Sequence, residues 1–400
     1  MYANPRTVKE ADALYGAGFD VRVAFTEGNL EQIRALDDCL LKSKPWRFST
    51  VGWSPFRKKE RALYLKTKLR YHIFKRLPSF LFPFAKCAEY GEGRLYKELC
   101  LLASSEKADL YIGHYPIGLA AAAYAASRWG SKLAYDVEDF HTQEEVGQRV
   151  KRRISLIEGR YLPGCAYVSC VSELVAEELA KLYNISNTLV IHNVFPWEER
   201  AKIDGQIKDR KGDALSLYWY SQVIGENRGI EDTIRAAGLL KDKVQLHLRG
   251  WLTEEVKNKF LKLAKQCGIE ENIYFHSPVN PAELLSRAAE HDVGLALEQP
   301  VSLSRKLAIS NKFFFYLLSG LAVAVTNLPA QEYIMSTCPG AGFIYNPGDY
   351  QGLAGQINRF ILEPKLLESS KQAALKAAQE LWNWEKESKK LIERIRGLLQ

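Results

Sequence analysis

Short runs of β-branched and apolar residues alternate with longer stretches of helical period through nearly the whole 400-residue chain. This alternation is typical of α/β proteins with mainly parallel sheets, because each parallel crossover needs a helix between two strands. At about 150 residues per domain, the length predicts two or three domains, each with a core of its own. We therefore expect an α/β protein of at least two domains.

The expected strands fall into two sets. Those of the first half are 21–25, 110–112, 132–135, 167–171 and 188–191. Those of the second half are 215–220, 244–249, 273–275, 293–297 and 322–325. Residues 198–213, between the sets, are polar and show little apolar periodicity, which indicates a linker. We expect a first domain at 1–197, a linker at 198–213, a second domain at 214–380 and a C-terminal helix at 381–400.

The start of the chain departs from the usual order of elements. An amphipathic helix at 7–17 comes almost at once, followed by Gly18 and the strand at 21–25. A doubly wound domain normally opens with a central strand. Either the fold tolerates a missing first strand or the chain starts late, and the residues do not decide between the two.

Composition and patterning exclude several classes of protein. Hydrophobic residues make up 47% and charged residues 26% of the chain, which excludes a disordered protein. The longest apolar stretch, 313–325, contains Ser319 and Gly320 and is too short to span a bilayer. The first residues include Asn4 and Pro5 in place of an apolar segment, so we expect no secretory signal and a cytoplasmic protein. Seven scattered cysteines, never spaced as C-x-x-C, predict core thiols.

Residues 57–76 form a basic stretch, with nine Lys or Arg residues and one acid, Glu60. Aromatic and aliphatic residues are interleaved with the charges, and a cationic amphipathic helix suits an anionic membrane surface. A solvated helix with one buried face is the alternative, and no nucleic-acid-binding motif accompanies the stretch. The residues expected on the membrane or acceptor side are Arg57, Lys58, Lys59, Lys66, Lys68 and Arg70.

Two segments of the second half combine a helix start with a cation. Asn311 and Lys312 open a helix that Gly320 ends, and a helix N-terminus with a cation suits a diphosphate. The loop 221–229 joins the first strand of the second domain to a helix, and its Arg228 suits a phosphate in the same way. The alternatives are a solvated lysine at the start of a buried helix and a surface arginine.

Acidic residues follow two of the expected strands. Glu298 comes directly after the strand at 293–297, and the segment YDVEDFH places Asp139 and His141 just beyond the strand at 132–135. Ligands bind at the carboxyl ends of parallel strands, so these side chains are candidates for chemistry. A solvated loop acid is the alternative for Glu298, and helix capping is the alternative for Asp139. No DxD-type carboxylate pair follows a suitable strand, so we expect no metal and no cofactor.

The order of these segments resembles the group 1, family 4 type of retaining glycosyltransferases. The resemblance covers almost the full length and is strongest in NPRTVKEADALYGAGFDVRV, in the run from CVSELVAEELAKLY to LVIHNV, in RGIEDTIRAAGLL followed by LHLRG, and in SNKFFFYLLSGLAVAVTNLP. It implies the GT-B fold, in which two Rossmann-like domains with mainly parallel sheets face each other across a cleft and the C-terminal helix crosses back to the first domain.

The resemblance also implies a function. A sugar would move from a nucleotide diphosphate sugar to an acceptor hydroxyl with retention, in the assembly of a cell-surface polysaccharide or glycolipid. The implied acceptor is lipid-linked or a saccharide, and the implied location is the inner face of the membrane. The implied donor-binding residues are Ser221, Arg228, Gly250, Ser310, Asn311 and Lys312. The implied catalytic residues are Asp139, His141 and Glu298.

The chain departs from the family pattern at several positions. The Glu that clamps the donor ribose, three residues after the Lys, is Phe315 here, and the second Glu of a Glu-x7-Glu pair is Lys306. Ser221 and Gln222 stand where the family often has a Gly and an Arg. Two other hypotheses therefore stay open: a catalytically silent GT-B protein that partners an active transferase, and a sugar-nucleotide epimerase on the same fold.

Overall fold

The computed structural model describes residues 4–28 and 30–400 and divides the chain into two compact units. Unit 1 comprises the residues up to Ile191 together with Ser388–Gln400, and unit 2 comprises His192–Glu387. Within the described residues the strands are β1 Arg22–Thr26, β2 Arg47–Val51, β3 Leu110–His114, β4 Lys132–Val137, β5 Tyr167–Cys170, β6 Thr188–Val190, β7 Leu215–Val223, β8 Val244–Trp251, β9 Ile273–His276, β10 Val293–Ala296, β11 Ala322–Thr326 and β12 Gly342–Tyr345.

Helices separate these strands. In the same described part of the chain they are α1 Pro5–Gly16, α2 Glu31–Leu41, α3 Lys58–Arg76, α4 Cys87–Glu92, α5 Tyr96–Ala103, α6 Tyr115–Trp129, α7 Gln148–Tyr161, α8 Glu173–Tyr183, α9 Ile230–Leu240, α10 Glu254–Cys267, α11 Pro281–Ala289, α12 Leu303–Leu307, α13 Asn311–Ser319, α14 Pro329–Ser336, α15 Tyr350–Leu362, α16 Pro364–Glu380 and α17 Trp384–Leu399.

All strand pairs in both units are parallel, as the alternating pattern predicts. Unit 2 holds one sheet of order β12-β11-β10-β7-β8-β9. The chain therefore builds β8 and β9 on one side of β7 and then returns to place β10 on the other side. This reversal makes the carboxyl ends of β7 and β10 a topological switch point, which is where open α/β sheets bind ligands.

Unit 1 is built from two separate sheets. β1 pairs with β2, while β3, β4, β5 and β6 form a second sheet in that order. Residues 4–21 contain helix α1 and no strand. Helix α1 starts after Asn4, whose side chain accepts a hydrogen bond from the Thr7 amide at 3.1 Å, with Pro5 as its first residue. The break therefore lies between the β1–β2 pair and the sheet formed by β3, β4, β5 and β6.

The ten expected strands are all present, with ends shifted by up to three residues. Two strands were not predicted. β2 contains Arg47, Ser49 and Thr50, with Arg47 and Phe48 exposed, so it lacks the buried apolar run of a central strand. β12 has four residues and begins with Gly342, too few for a period to be recognised.

The divisions between the units differ from the expected ones. The first lies between Ile191 and His192 rather than at 197, and residues 198–213 belong to unit 2. The reason is a set of polar contacts: the Glu290 carboxylate accepts hydrogen bonds from the amides of Lys208 at 2.8 Å and Asp209 at 2.7 Å. A polar segment without periodicity is therefore tied down by hydrogen bonds in place of apolar packing.

The C-terminal helix returns to unit 1, as expected. The second division falls inside α17, after Glu387 rather than at 380. In unit 1, the Arg394 guanidinium donates to the Ala166 carbonyl at 2.9 Å and the Arg396 guanidinium donates to the Ala17 carbonyl at 3.1 Å. The cysteines are unpaired, and Cys39 is exposed rather than a core thiol.

Helix α13 packs against β10 at very short range, and Gly294 makes this possible. A Cβ at Gly294 would lie 2.1 Å from Cγ of Tyr316, which is fully buried. We expect Gly294→Ala to lower the free energy of unfolding of unit 2 by about 1–3 kcal/mol, the usual cost of overpacking. Urea unfolding followed by tryptophan fluorescence measures it.

Gly355→Ala is the matched control, because a Cβ at this helical position meets nothing within 4 Å. We expect this variant to be neutral or more stable by up to about 1 kcal/mol. If the Gly294→Ala variant were as stable as the natural chain, the result would contradict the close packing of α13 against β10.

Candidate functional site

Four of the predicted residues of unit 2, Arg228, Glu298, Ser310 and Lys312, meet at the carboxyl ends of its central strands. Glu298 lies two residues beyond β10, and the loop ending at Gly229 follows β7. Gly229 has a φ of 77°, and a Cβ there would lie 2.5 Å from Cβ of Leu297. The loop after β7 is therefore pressed against the end of β10, and Arg228 is brought beside Glu298.

Glu298 is the centre of the cluster. Its carboxylate accepts a hydrogen bond from the Ser310 hydroxyl at 3.0 Å and one from the Lys312 ammonium at 3.3 Å. The Arg305 guanidinium lies 3.9 Å away. The Thr326 hydroxyl donates to the backbone carbonyl of Glu298 at 2.6 Å and so fixes the residue at the strand end. We call Arg228, Glu298, Arg305, Ser310 and Lys312 the Glu298 cluster.

The charges of this cluster decide the state of its carboxyl group. Burial alone would raise the pKa of Glu298, but the positive charge of Lys312, the hydrogen bond from Ser310 and the charges of Arg305 and Arg228 outweigh it. The pKa therefore lies below its usual value, and the group is ionised at neutral pH. Arg228, Arg305 and Lys312 gather three positive charges at this strand end, an arrangement that suits an anionic ligand.

The start of helix α13 adds to this preference. Ser310 occupies the N-cap position, yet its hydroxyl donates to Glu298 and no side chain caps the helix. Asn311, the first helical residue, is exposed. The amides of the first turn thus lack a side-chain acceptor on the face where Lys312 lies, and a helix N-terminus of this kind is a common anion site. Ser310, Asn311 and Lys312 thus lie at the start of α13, and their role in donor binding stays a prediction.

Two other predicted donor residues have a different position. Ser221 was expected in the loop, but β7 continues to Val223, and the pairing with β8 is irregular between Tyr220 and Val223. Gly250 lies in β8, where a Cβ would be 2.4 Å from the Ser221 carbonyl oxygen. The prediction of a loop was wrong because the polar pair Ser221 and Gln222 forms a bulge in the strand. Gly250 has a packing role here, since only a glycine fits against that bulge.

Phe315, which replaces the Glu expected to clamp the ribose, is buried in unit 2. Its ring centre lies 4.6 Å from that of Tyr220 and 5.3 Å from that of Phe195. Its exposure is 4%. The side chain at this position is therefore part of an aromatic core and not of a polar surface.

In unit 1, the predicted acid–base residues follow β4. The His141 imidazole Nδ1 lies 2.8 Å from the Glu144 carboxylate, and its Nε2 is buried with no hydrogen-bond partner among the described residues. Burial alone would lower the pKa of His141, but the Glu144 hydrogen bond and the charges of Glu144 and Asp139 raise it. Desolvation raises the pKa of Asp139 to about 6; the charge of His141 opposes this rise, and those of Glu144 and Glu138 add to it.

A second charged cluster in unit 1 was missed by the sequence analysis. Arg6 donates two hydrogen bonds to the Asp136 carboxylate, at 2.6 and 2.7 Å, and lies 3.4 Å from Glu10. His114, at the end of β3, lies 3.1 Å from Glu138 through Nδ1 and 3.5 Å from Glu10 through Nε2. We call these five residues the Arg6 cluster. Its signal in the sequence was the Arg6–Glu10 pair at i,i+4 on the apolar face of α1.

The acidic and basic side chains of the Arg6 cluster act mainly on one another's charges. Burial and the negative charge of Asp136 raise the pKa of Glu10. Burial alone would lower the pKa of His114, but Glu10, Asp136 and Glu138 raise it to about 10. Glu10, His114 and Asp136 offer ligand atoms within 4.8 Å of one another, as a metal ion would need. Both oxygens of Asp136 are already bonded to Arg6, so the group is better explained as an ion-pair network.

Helix α3 carries the basic residues expected on the membrane or acceptor side. Lys58, Lys59, Lys66 and Lys68 are exposed. Arg57 and Arg70 are instead held by acids within unit 1: Arg57 lies 2.7 Å from Glu31, and Arg70 lies 2.5 Å from Glu98. Of the six residues predicted, four are therefore available to a partner. No helix among the described residues is both long and apolar enough to cross a bilayer.

The ionised state of Glu298 gives a pH prediction. Because the folded-state pKa is lowered, the stability that the carboxylate contributes is full above its unfolded pKa, about 4.3, and is lost as the pH falls through the folded value. We expect Glu298→Gln to lower the free energy of unfolding of unit 2 by about 1–3 kcal/mol at pH 7. The difference between the two chains should shrink below pH 4, as measured by urea unfolding.

Glu283→Gln provides the control, since Glu283 is an exposed acid in the first turn of α11, outside the Glu298 cluster. A difference between Glu298→Gln and the natural chain that stays constant from pH 7 to pH 3.5 would contradict the ionised assignment.

Comparison with known proteins gives a fold and no close relative. Neither a family model nor a curated protein matches the sequence. Sucrose-phosphate synthase from Thermosynechococcus elongatus matches with a TM-score of 0.71 at 15% identity, over 99% of this chain and 93% of that chain. Anabaena HepE in complex with UDP and glucose matches with a TM-score of 0.65 at 13% identity, over 94% and 99%.

A glycosyltransferase from Rickettsia africae has a TM-score of 0.65 at 14% identity and covers 98% of this chain and 94% of that chain. These structural neighbours are glycosyltransferases of the GT-B type. At such low identity the likeness establishes architecture alone, and it agrees with the two α/β units and their parallel sheets. The chain therefore has the GT-B fold.

Proposed function

We propose that the chain transfers a sugar from a nucleotide diphosphate sugar to an acceptor hydroxyl. The observation that carries the proposal is the Glu298 cluster, three cations around one buried carboxylate beside the uncapped start of α13. It lies at the topological switch point of the unit 2 sheet. In the same fold, HepE has been solved with UDP and with UDP-glucose, which supports a nucleotide sugar as the donor.

In this proposal the diphosphate of the donor binds at the cluster. Arg228 and Lys312 meet the negative charge that grows on the leaving phosphate as the bond from the sugar carbon to the phosphate oxygen breaks. The ionised Glu298 accepts hydrogen bonds and is suited to sugar hydroxyls. The cationic side chains take the place of a metal ion in this scheme.

Retention of configuration and an oxocarbenium-like transition state are part of the proposal, as the family resemblance implies. Asp139 and His141 of unit 1 are proposed to serve the acceptor side. A carboxyl group with a pKa near 6 is ionised enough at neutral pH to accept the proton of an acceptor hydroxyl.

One observation favours a second candidate function. Phe315 is packed between Tyr220 and Phe195, so the helix position expected to clamp the ribose offers no hydrogen-bond acceptor. A catalytically silent GT-B protein that partners an active transferase would tolerate this change. Calorimetric titration with a panel of nucleotide diphosphates and nucleotide sugars separates the two, because only the transferase needs a donor.

The membrane side of the proposal rests on helix α3. Leu65, Leu69 and Ile73 recur every four residues on one stripe and are 56%, 66% and 53% exposed. Exposed lysines such as Lys66 and Lys68 lie on the same helix. An apolar stripe with cations beside it suits insertion at an anionic bilayer surface. We propose that the protein is peripheral on the inner face of the membrane and acts on a lipid-linked or saccharide acceptor of surface polysaccharide or glycolipid assembly.

The donor site gives a direct prediction. We expect Arg228→Ala and Lys312→Ala each to weaken the binding of a nucleotide diphosphate by about 1–3 kcal/mol, the scale of a lost charge-assisted hydrogen bond. Isothermal titration calorimetry measures the dissociation constants. Lys262→Ala, an exposed lysine on α10, is the matched control and should leave affinity unchanged. Unchanged affinity in both site variants would refute the assignment of the phosphate site.

The membrane contact gives another prediction. We expect the double variant Lys66→Gln/Lys68→Gln to bind anionic vesicles more weakly by about 2 kcal/mol, since each lysine near such a surface contributes about 1 kcal/mol. Vesicle co-sedimentation at fixed ionic strength measures the change. The control is Lys262→Gln/Lys265→Gln, which removes the same charge from α10 and should bind as the natural chain does. An equal loss in both double variants would indicate only a response to net charge.

A further inference from the structure

A cavity of about 440 Å³ lies beside the end of α3 in unit 1, and every residue that lines it is basic: His72, Lys75, Arg76 and Arg149. The first three come from the last turns of α3, and Arg149 is the second residue of α7. A concave surface lined by charges of one sign focuses the field inside it. The cavity is distinct from the Glu298 cluster, which belongs to unit 2.

The walls of the cavity are fixed by contacts between the two helices. The Arg149 guanidinium donates to the Leu77 carbonyl at 2.5 Å and to the Lys75 carbonyl at 3.3 Å, which ties the start of α7 to the end of α3. The Lys75 ammonium lies 5.2 Å from the centre of the Tyr71 ring. These contacts hold two of the cations in place without neutralising them.

Three of the four lining residues, Lys75, Arg76 and Arg149, are permanent cations at neutral pH. Within the described part of the chain, no carboxylate oxygen lies within 4.0 Å of their charged nitrogens. Glu92 is near enough for the charge of Lys75 to act on it, but its carboxylate is hydrogen-bonded to Arg153 at 3.0 Å. The positive charge of the cavity is therefore left for a ligand.

The start of α7 supplies further donors of the same kind. This helix of 14 residues begins after Gly147, which has no side chain to cap it. The Val150 and Lys151 amides donate to the Gly147 carbonyl at 2.8 and 3.1 Å, so an external acceptor would meet the amides of Gln148 and Arg149, where the helix N-terminus adds partial positive charge. Arginine forks together with helix amides are the usual means of phosphate recognition.

Exposed apolar side chains lie next to these cations along the chain. Ile73 directly follows His72 and is 53% exposed, and Phe80 and Phe84, just after α3, are 66% and 63% exposed. Apolar side chains contribute nothing to the binding of a free anion, but they can pack against the hydrocarbon part of a lipid.

We propose that this cavity, the α3–α7 pocket, binds the phosphate or diphosphate group of an amphiphilic ligand, whose hydrocarbon chain lies along the exposed apolar side chains. The inference extends the proposed membrane contact of α3 by naming the headgroup chemistry. It does not depend on the donor chemistry of unit 2, which the calorimetry of the Lys312 variant tests separately.

The test compares two anionic lipids in the full chain. Phosphatidylcholine vesicles contain either phosphatidic acid, a phosphate monoester, or phosphatidylglycerol, a diester, at matched surface charge. We expect the natural chain to bind the monoester vesicles about tenfold more tightly, the scale of one charge-assisted hydrogen bond. The double variant Lys75→Gln/Arg76→Gln should lose this preference.

The matched control is Lys66→Gln/Lys68→Gln, which removes the same charge from the same helix away from the pocket. It should weaken binding to both kinds of vesicle and keep the preference for the monoester. The proposed phosphate pocket would be overturned if the natural chain bound both lipids equally. It would also be overturned if both double variants lost the preference to the same extent. Circular dichroism of each variant verifies that α3 is intact.

A second arm asks whether the phosphate itself is recognised. Inorganic pyrophosphate should displace the natural chain from phosphatidic acid vesicles at matched ionic strength, whereas sodium sulfate at equal charge should do so at least about tenfold less well. Displacement by pyrophosphate supports a pocket that also accepts the free group. Failure of pyrophosphate to displace the chain would overturn the assignment of a phosphate site.

Discussion

The ionised carboxylate of Glu298 holds the candidate site together. Taking a charge out of water costs several kcal/mol, and a buried carboxylate persists only where cations and hydrogen bonds offset that cost. Here Lys312 and Ser310 supply the offset from the start of α13, while Thr326 holds the backbone of Glu298 in place. One ion pair therefore fixes the first turn of α13 against the carboxyl end of β10, and the close packing of Gly294 on Tyr316 fixes the rest of the helix.

The two charged clusters differ in their balance, and this difference separates a structural role from a binding role. In the Arg6 cluster the acids outnumber the permanent cation, and the raised pKa values of Glu10 and His114 favour protons on both side chains, which reduces the negative charge inside the protein. In the Glu298 cluster the cations outnumber the acid. Lysine and arginine keep their protons at neutral pH, so changes of protonation do not balance this cluster as they do the Arg6 cluster.

The sequence predicted those parts of the site that follow from strand ends and helix starts. Glu298, Ser310 and Lys312 meet because parallel strands share an edge, which periodicity alone reveals. Ser221 was misplaced because a bulge extends β7 by several residues, and a bulge depends on the neighbouring strand rather than on local sequence. The same limit applies to Arg6, since only the tertiary fold brings it to Asp136, which is 130 residues away.

Phe315 separates two parts of nucleotide recognition that the family combines on one helix. Its aromatic packing removes a ribose acceptor, while the cations for the diphosphate remain three residues earlier and in the loop after β7. Like charges placed around one acid repel each other, and a bound anion offsets that repulsion. The recognition that we propose therefore rests on the phosphates of the nucleotide, with Lys312 and Arg228 beside Glu298, rather than on its ribose.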